Sequence, residues 1–167
     1  MFPASACTLG YGLGSLNAVR LHDLEKAPIL DRMLVPGSAV SRREPIGGSV
    51  PGPNGSVTVG YRLRGGTTAS GALLSVMSSL ASAGVSLDQV NCRSASFDFV
   101  GGSLSVRSTE PGVKFWIAAV NVFIDKPSAA SAMLTLSLPA GALPQGEAPS
   151  GEMARVPLKV LGDCGLS

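Results

Sequence analysis

The run from Val113 to Asp125, Val-Lys-Phe-Trp-Ile-Ala-Ala-Val-Asn-Val-Phe-Ile-Asp, restricts the fold of this chain more than any other stretch. Both of its alternating faces are largely apolar. One carries Val113, Phe115, Ile117, Ala119 and Phe123, and the other Trp116, Ala118, Val120, Val122 and Ile124. A strand with one wet face alternates apolar with polar residues, so this pattern predicts a central strand covered on both sides. A buried helix is the competing reading. The β-branched and aromatic content, with Thr-Glu-Pro-Gly before it and Asp-Lys-Pro after it, favours the strand.

Elements that could flank such a strand follow on both sides. Val57, Val59, Tyr61 and Leu63 alternate with Ser56, Thr58, Arg62 and Arg64, as a half-buried strand does after the Asn54-Gly55 turn. One helix is predicted over about 69–83. It opens after Gly65-Gly66-Thr67-Thr68, repeats Ala72, Leu73, Val76, Met77 and Leu80 at helical spacing, and stops at Gly84. Ser94 to Arg107 reads as a hairpin turning at Gly101-Gly102, with Phe99 opposite Leu104 and Phe97 opposite Val106. Ala132, Leu134, Leu136 and Leu138 mark another half-buried strand. Residues 139–151 form a loop, and Arg155 to Leu161 a last edge strand with Pro157 on its outer parity. Six or seven strands with one helix predict a mainly β fold, an antiparallel β-sandwich or jelly-roll-like barrel. The alternative is an α+β sheet of split βαβ type carrying the helix on one face.

Residues 1–55 differ from the 56–167 core. Six prolines between Pro3 and Pro53 and the Gly10-Tyr-Gly-Leu-Gly14 run leave room only for a helical turn at Leu21–Lys26 and a short strand at Leu30–Val35. Yet Leu9, Leu13, Leu16, Leu21 and Leu24 recur, a density that disordered tails lack. The expectation is an extended arm lying on its own domain or on a neighbouring subunit. The glycine run lacks the spacing and the flanking elements of a phosphate-binding loop.

No catalytic constellation emerges. His22 is the single histidine, which excludes a histidine-rich metal site. As the base of a Ser-His-Asp triad it would sit in the irregular arm, and no Gly-x-Ser-x-Gly is present. Cys7 and Cys92 as nucleophiles lack a local signature. Cys7, Cys92 and Cys164 are odd in number and widely spaced, which signals neither zinc nor a disulfide framework, so dispersed thiols are expected. The acids are scattered, mostly at turns. Neither a catalytic activity nor a cofactor is expected.

Surface chemistry is more telling. Charged residues are 14% of the chain, against roughly 25% in ordinary soluble domains, and mean hydropathy is +0.33. No apolar run of about 18 residues exists to span a bilayer. The helix face Ser75, Ser78, Ser79 and Ser82 is uncharged and suits close packing on another element or another copy. With Leu13, Leu16, Leu21 and Leu24 it forms the candidate subunit interface. Arg62, Arg64, Arg107, Arg155 and Lys159 fall on the polar parity of their strands, and Arg42-Arg43 sits in the arm. Gathered on one sheet face they could meet nucleic acid; scattered, they are ordinary strand exteriors. Net charge is only +2. The first residues, Met-Phe-Pro-Ala-Ser-Ala, carry neither the positive nor the apolar region of a secretory leader, so cytoplasmic synthesis is expected.

In its apolar arm, β core, neutral helix face and low charge, the chain resembles a small virus or bacteriophage structural protein, a coat, spike or decoration subunit. That resemblance implies homo-oligomeric shells, arm exchange, contacts with other virion proteins, and a basic face toward the genome. The central helix and the lack of a strongly basic tail depart from the simplest coat pattern. A non-enzymatic binding or scaffold module, for a ligand or a secretion or pilus assembly, is the reading from another class.

Overall fold

A computed structural model describes residues 21–46, 56–137 and 164 of the chain, with the side chains of 41–46 left aside. Six strands form one antiparallel sheet: β1 (Ala39–Ile46), β2 (Ser56–Arg62), β3 (Ser86–Asn91), β4 (Phe97–Arg107), β5 (Phe115–Asp125) and β6 (Ser131–Ser137), in the order β1-β2-β6-β5-β4-β3. Helix α1 (Ala69–Ser82) links β2 to β3. Every neighbouring pair is antiparallel, so β2 and β3 run the same way with β6, β5 and β4 between them. The fold is mainly β, as expected. Among the described residues the sheet is not closed into a barrel, since β1 and β3 lie at opposite edges. Helix α1 packs on one face of this single sheet.

α1 forms where its local signals place it. Thr68, in an extended conformation, accepts a hydrogen bond on Oγ1 from Gly71 N at 3.1 Å. At the other end Gly84 takes φ +85°, Val85 N donates to Leu80 O at 3.0 Å, and Gly84 N donates to Ala81 O at 3.1 Å. Leu80 and Val85 are both fully buried, so this cap also closes an apolar contact.

Strand β5 is central, but its two faces differ. Trp116, Ala118, Val120, Val122 and Ile124 are buried, whereas Phe115, Ile117, Ala119, Asn121 and Phe123 are only half-buried. The expectation of cover on both sides therefore holds for one side. That inner side packs beneath Ala72, Leu73, Val76 and Leu80 of α1 and beneath Leu24, Ile29, Leu30 and Leu34.

Residues 21–35 therefore lie on the chain's own domain and contribute to its core. Residues 21–25 are helical, Pro28–Asp31 is a 3₁₀ turn, and Leu24 and Leu34 are fully buried. The short strand expected at Leu30–Val35 does not form, because Pro28 at the start of the turn favours helical φ. Residues 39–46, expected to be irregular, form edge strand β1. Pro45 falls where an edge tolerates it.

The largest correction concerns Gly101-Gly102. No hairpin turns there; β4 runs straight through, and β3 pairs Leu87 with Gly102 and Gln89 with Gly101 across a bulge. Cβ contacts explain the glycines. A Cβ on Gly102 would run into Ser86 O and lie 2.9 Å from Val85 Cγ1; one on Gly101 would lie 2.9 Å from Phe99 Cζ. Glycine inside a strand here marks close backbone approach, not reversal. Because the strand continues, parity carries on unbroken. Phe97 and Phe99 share the outer face, and Asp98, Val100 and Val106 the inner. Gly102→Ala is expected to cost about 1–3 kcal/mol, as overpacking does. The urea midpoint checks this against Gly65→Ala, where nothing lies within 4 Å.

Candidate functional site

The outer face of the sheet carries an aromatic cluster. Register places Phe97, Phe99, Phe123 and Met133 together on it. The Phe97 and Phe123 rings meet edge-on at 5.3 Å, and Phe99 and Phe123 lie 5.0 Å apart. Phe97 is 37% exposed and Met133 42%. Ile117, Ala119, Thr135 and the Thr58–Thr135 hydroxyl pair at 3.4 Å continue the surface. A hairpin at Gly101-Gly102 would put Phe97 and Phe99 on one face with Leu104 and Val106; the straight strand puts them on the opposite, outer face.

The arginines do not gather beside it. Arg62 and Arg107 are both exposed and on the outer face, but at opposite ends. Arg62 shares a row with Ser131, Asp125 and Phe97, ten residues along β4 from Arg107, roughly 33 Å at 3.3 Å per residue. Arg64 is exposed beyond β2. The backbones of Arg42 and Arg43 pair with Gly60 and Val59. Arg155 and Lys159 lie outside the described residues. Arg62, Arg64 and Arg107 are therefore exposed but not gathered into one patch.

Of the expected interface residues, Leu24 is fully buried in its own domain and is not available to a second copy. Leu21 is half-buried against the same core. Ser79 Oγ donates to Leu34 O at 3.1 Å, so that part of the serine face packs on the chain itself. Ser75 is half-buried, while Ser78 and Ser82 are exposed. Leu13, Leu16 and the Gly10–Gly14 run lie outside the described residues, as do Asn54-Gly55, the 139–151 loop and the 155–161 strand.

A second feature is a cleft of about 510 Å³ between residues 23–32, the C-terminal end of α1 and the Leu104–Arg107 end of β4. One of its walls holds Asp23, only 2% exposed. Its carboxylate accepts from Trp116 Nε1 at 2.8 Å, from Thr109 N at 3.0 Å and from Thr109 Oγ1 at 2.6 Å. Asp23 is therefore a pin between the helical segment and the β4–β5 turn. Its neighbour His22 points to solvent. Arg32 reaches the end of α1, with Nη1 and Nη2 each 3.4 Å from Ser79 O and Ser82 O. There it complements the negative end of the helix.

At the opposite end of the sheet, Cys92 and Cys164 form a disulfide, with Cα atoms 5.2 Å apart. This overturns the expectation of dispersed thiols and removes Cys92 as a nucleophile. Cys7 lies outside the described residues. Beside the disulfide, Lys126 Nζ sits 2.8 Å from Asp98 Oδ1 and donates to the carbonyls of Cys92 and Ser94 at 2.9 Å. Asp98 is 4% exposed, so the cation supplies what water cannot.

Among the described residues no three His, Cys, Asp or Glu side chains come together as metal ligands would, and no helix is long and apolar enough to cross a membrane. No known protein family, curated protein or solved structure matches the chain.

Proposed function

We propose that the protein is a structural subunit that assembles with copies of itself, a coat, spike or decoration subunit of a virion, and that copies meet through the outer sheet face. The observation that carries this is the half-exposed apolar surface built around Phe97, Phe99, Phe123 and Met133. Six strands about 4.8 Å apart give that face an area on the order of 600 Å². A specific interface needs upwards of roughly 500 Å² per partner, so the face is large enough.

Both edge strands, β1 and β3, carry features that discourage strand pairing along their length, which favours the face for self-association. β1 has a register shift between Val40 and Arg42 and carries Arg42, Arg43, Glu44 and Pro45. β3 has a shift between Leu87 and Gln89, with Asp88 exposed. Bulges, charges and proline are the usual means of discouraging edge-on association. Arg62 and Asp125, exposed two strands apart in one row, supply opposite charges that a two-fold could pair across the interface. A disulfide is at home in oxidising surroundings, virion surfaces among them.

The full chain is expected to elute well above 16.9 kDa. Met133→Asp and Phe97→Asp replace already exposed side chains, so their circular dichroism should stay native while self-association weakens by roughly a hundred-fold. Light scattering on the eluting species checks both. A monomer at micromolar concentration, or assembly indifferent to either variant, would sink the reading. A monomer that retains a small ligand would point to the binding module instead.

A further inference from the structure

Independently of that face, we propose that the cleft beside β4 receives an extended acidic peptide segment of a partner protein, added as a strand along Leu104–Arg107. β3 covers β4 only from Phe99 to Ser103, while β4 continues to Arg107. Among the described residues, Leu104 to Arg107 pair on one side alone, with Ala118 to Phe115 of β5. Unlike β1 and β3, this length of edge carries no bulge, no proline and no charge before Arg107. Four residues span about 13 Å, and backbone groups there are what strand addition uses.

The cleft lies along that edge, and its chemistry selects the guest. Ala27, Pro28, Ile29, Ala83 and Val106 supply apolar walls for one side of an added strand. Lys26, Arg32 and Arg107 are exposed around it. The one acid lining it, Asp23, is turned inward and covered by three donors. An added strand with apolar residues at alternate positions would bury them in the cleft, and the carboxylates between them would face outward beside Arg107, with Lys26 and Arg32 adding positive potential at the rim. The volume of about 510 Å³ lies in the range of roughly 300–1,000 Å³ common to ligand sites.

The probe is a fluorescein-labelled peptide alternating glutamate and valine, titrated against the full chain by anisotropy. Saturable binding is expected, weakened roughly ten-fold or more by Arg107→Glu, with the melting temperature unchanged because Arg107 is exposed. N-methylation along one edge of the peptide should abolish binding and along the other spare it. The amides of Leu104 to Arg107 should then exchange more slowly in the complex. Three results would overturn the proposal: no binding at millimolar peptide, binding indifferent to both Arg107→Glu and N-methylation, or capture of a single-stranded oligonucleotide at this site in place of the peptide.

Discussion

Asp23→Ala is expected to lower the stability of the domain by about 3 kcal/mol, or roughly 6–12 °C in melting temperature for a chain of this size. The carboxylate is 2% exposed and takes three hydrogen bonds, one from the indole of Trp116, itself 1% exposed. Hydrogen bonds to a charged group contribute about 1.5–3 kcal/mol each, and removing a buried carboxylate returns part of that as relieved desolvation. Thr109 is exposed and its hydroxyl can turn to water; the buried indole cannot. The loss should also travel. Asp23 joins residues 21–35 to the β4–β5 turn, and the same segment supplies Lys26, Ile29 and Arg32 to the cleft. Asp23→Ala should therefore weaken peptide binding even at temperatures where the sheet remains folded. Asp23→Asn, which keeps the shape, should recover part of the stability. Thermal melts of the two variants decide; an Asp23→Ala protein as stable as the parent would mean that the three bonds are not made in solution.

That pin also shows what local sequence can reveal. α1 was legible because every signal for it lies within about twenty residues: Thr68 as cap, the Ala72–Leu80 repeat, and Gly84 as stop. β2 and β6 were legible from parity alone, and β5 from its length and composition. β3 was not, since Ser-Leu-Asp-Gln-Val-Asn alternates poorly across its own bulge. Gly101-Gly102 misled because a glycine pair signals either reversal or close approach, and only the position of Val85 and Ser86 decides between them. One wrong turn then moved Phe97 and Phe99 to the wrong face and concealed the aromatic surface. The Asp23–Trp116 bond spans 93 residues and the disulfide 72, and neither has a local signature.

Reduction of the Cys92–Cys164 disulfide is expected to cost about 4 kcal/mol, the chain-entropy value for a loop of 72 residues. The loop encloses β4, β5 and β6, so the cross-link restricts the unfolded ensemble across the middle of the sheet. The folded sheet itself should survive reduction. Lys126 holds Asp98 and the carbonyls of Cys92 and Ser94 at the same end, and none of these contacts involves sulfur. The prediction is a native circular dichroism spectrum with and without reductant, but a urea midpoint that falls on reduction. Cys92→Ser should reproduce the reduced value and show no further response to reductant. Equal midpoints for oxidised and reduced protein would mean that the cross-link does not form. A measured loss would mean that the oxidised chain is the more stable form, by the restriction the cross-link puts on the unfolded ensemble.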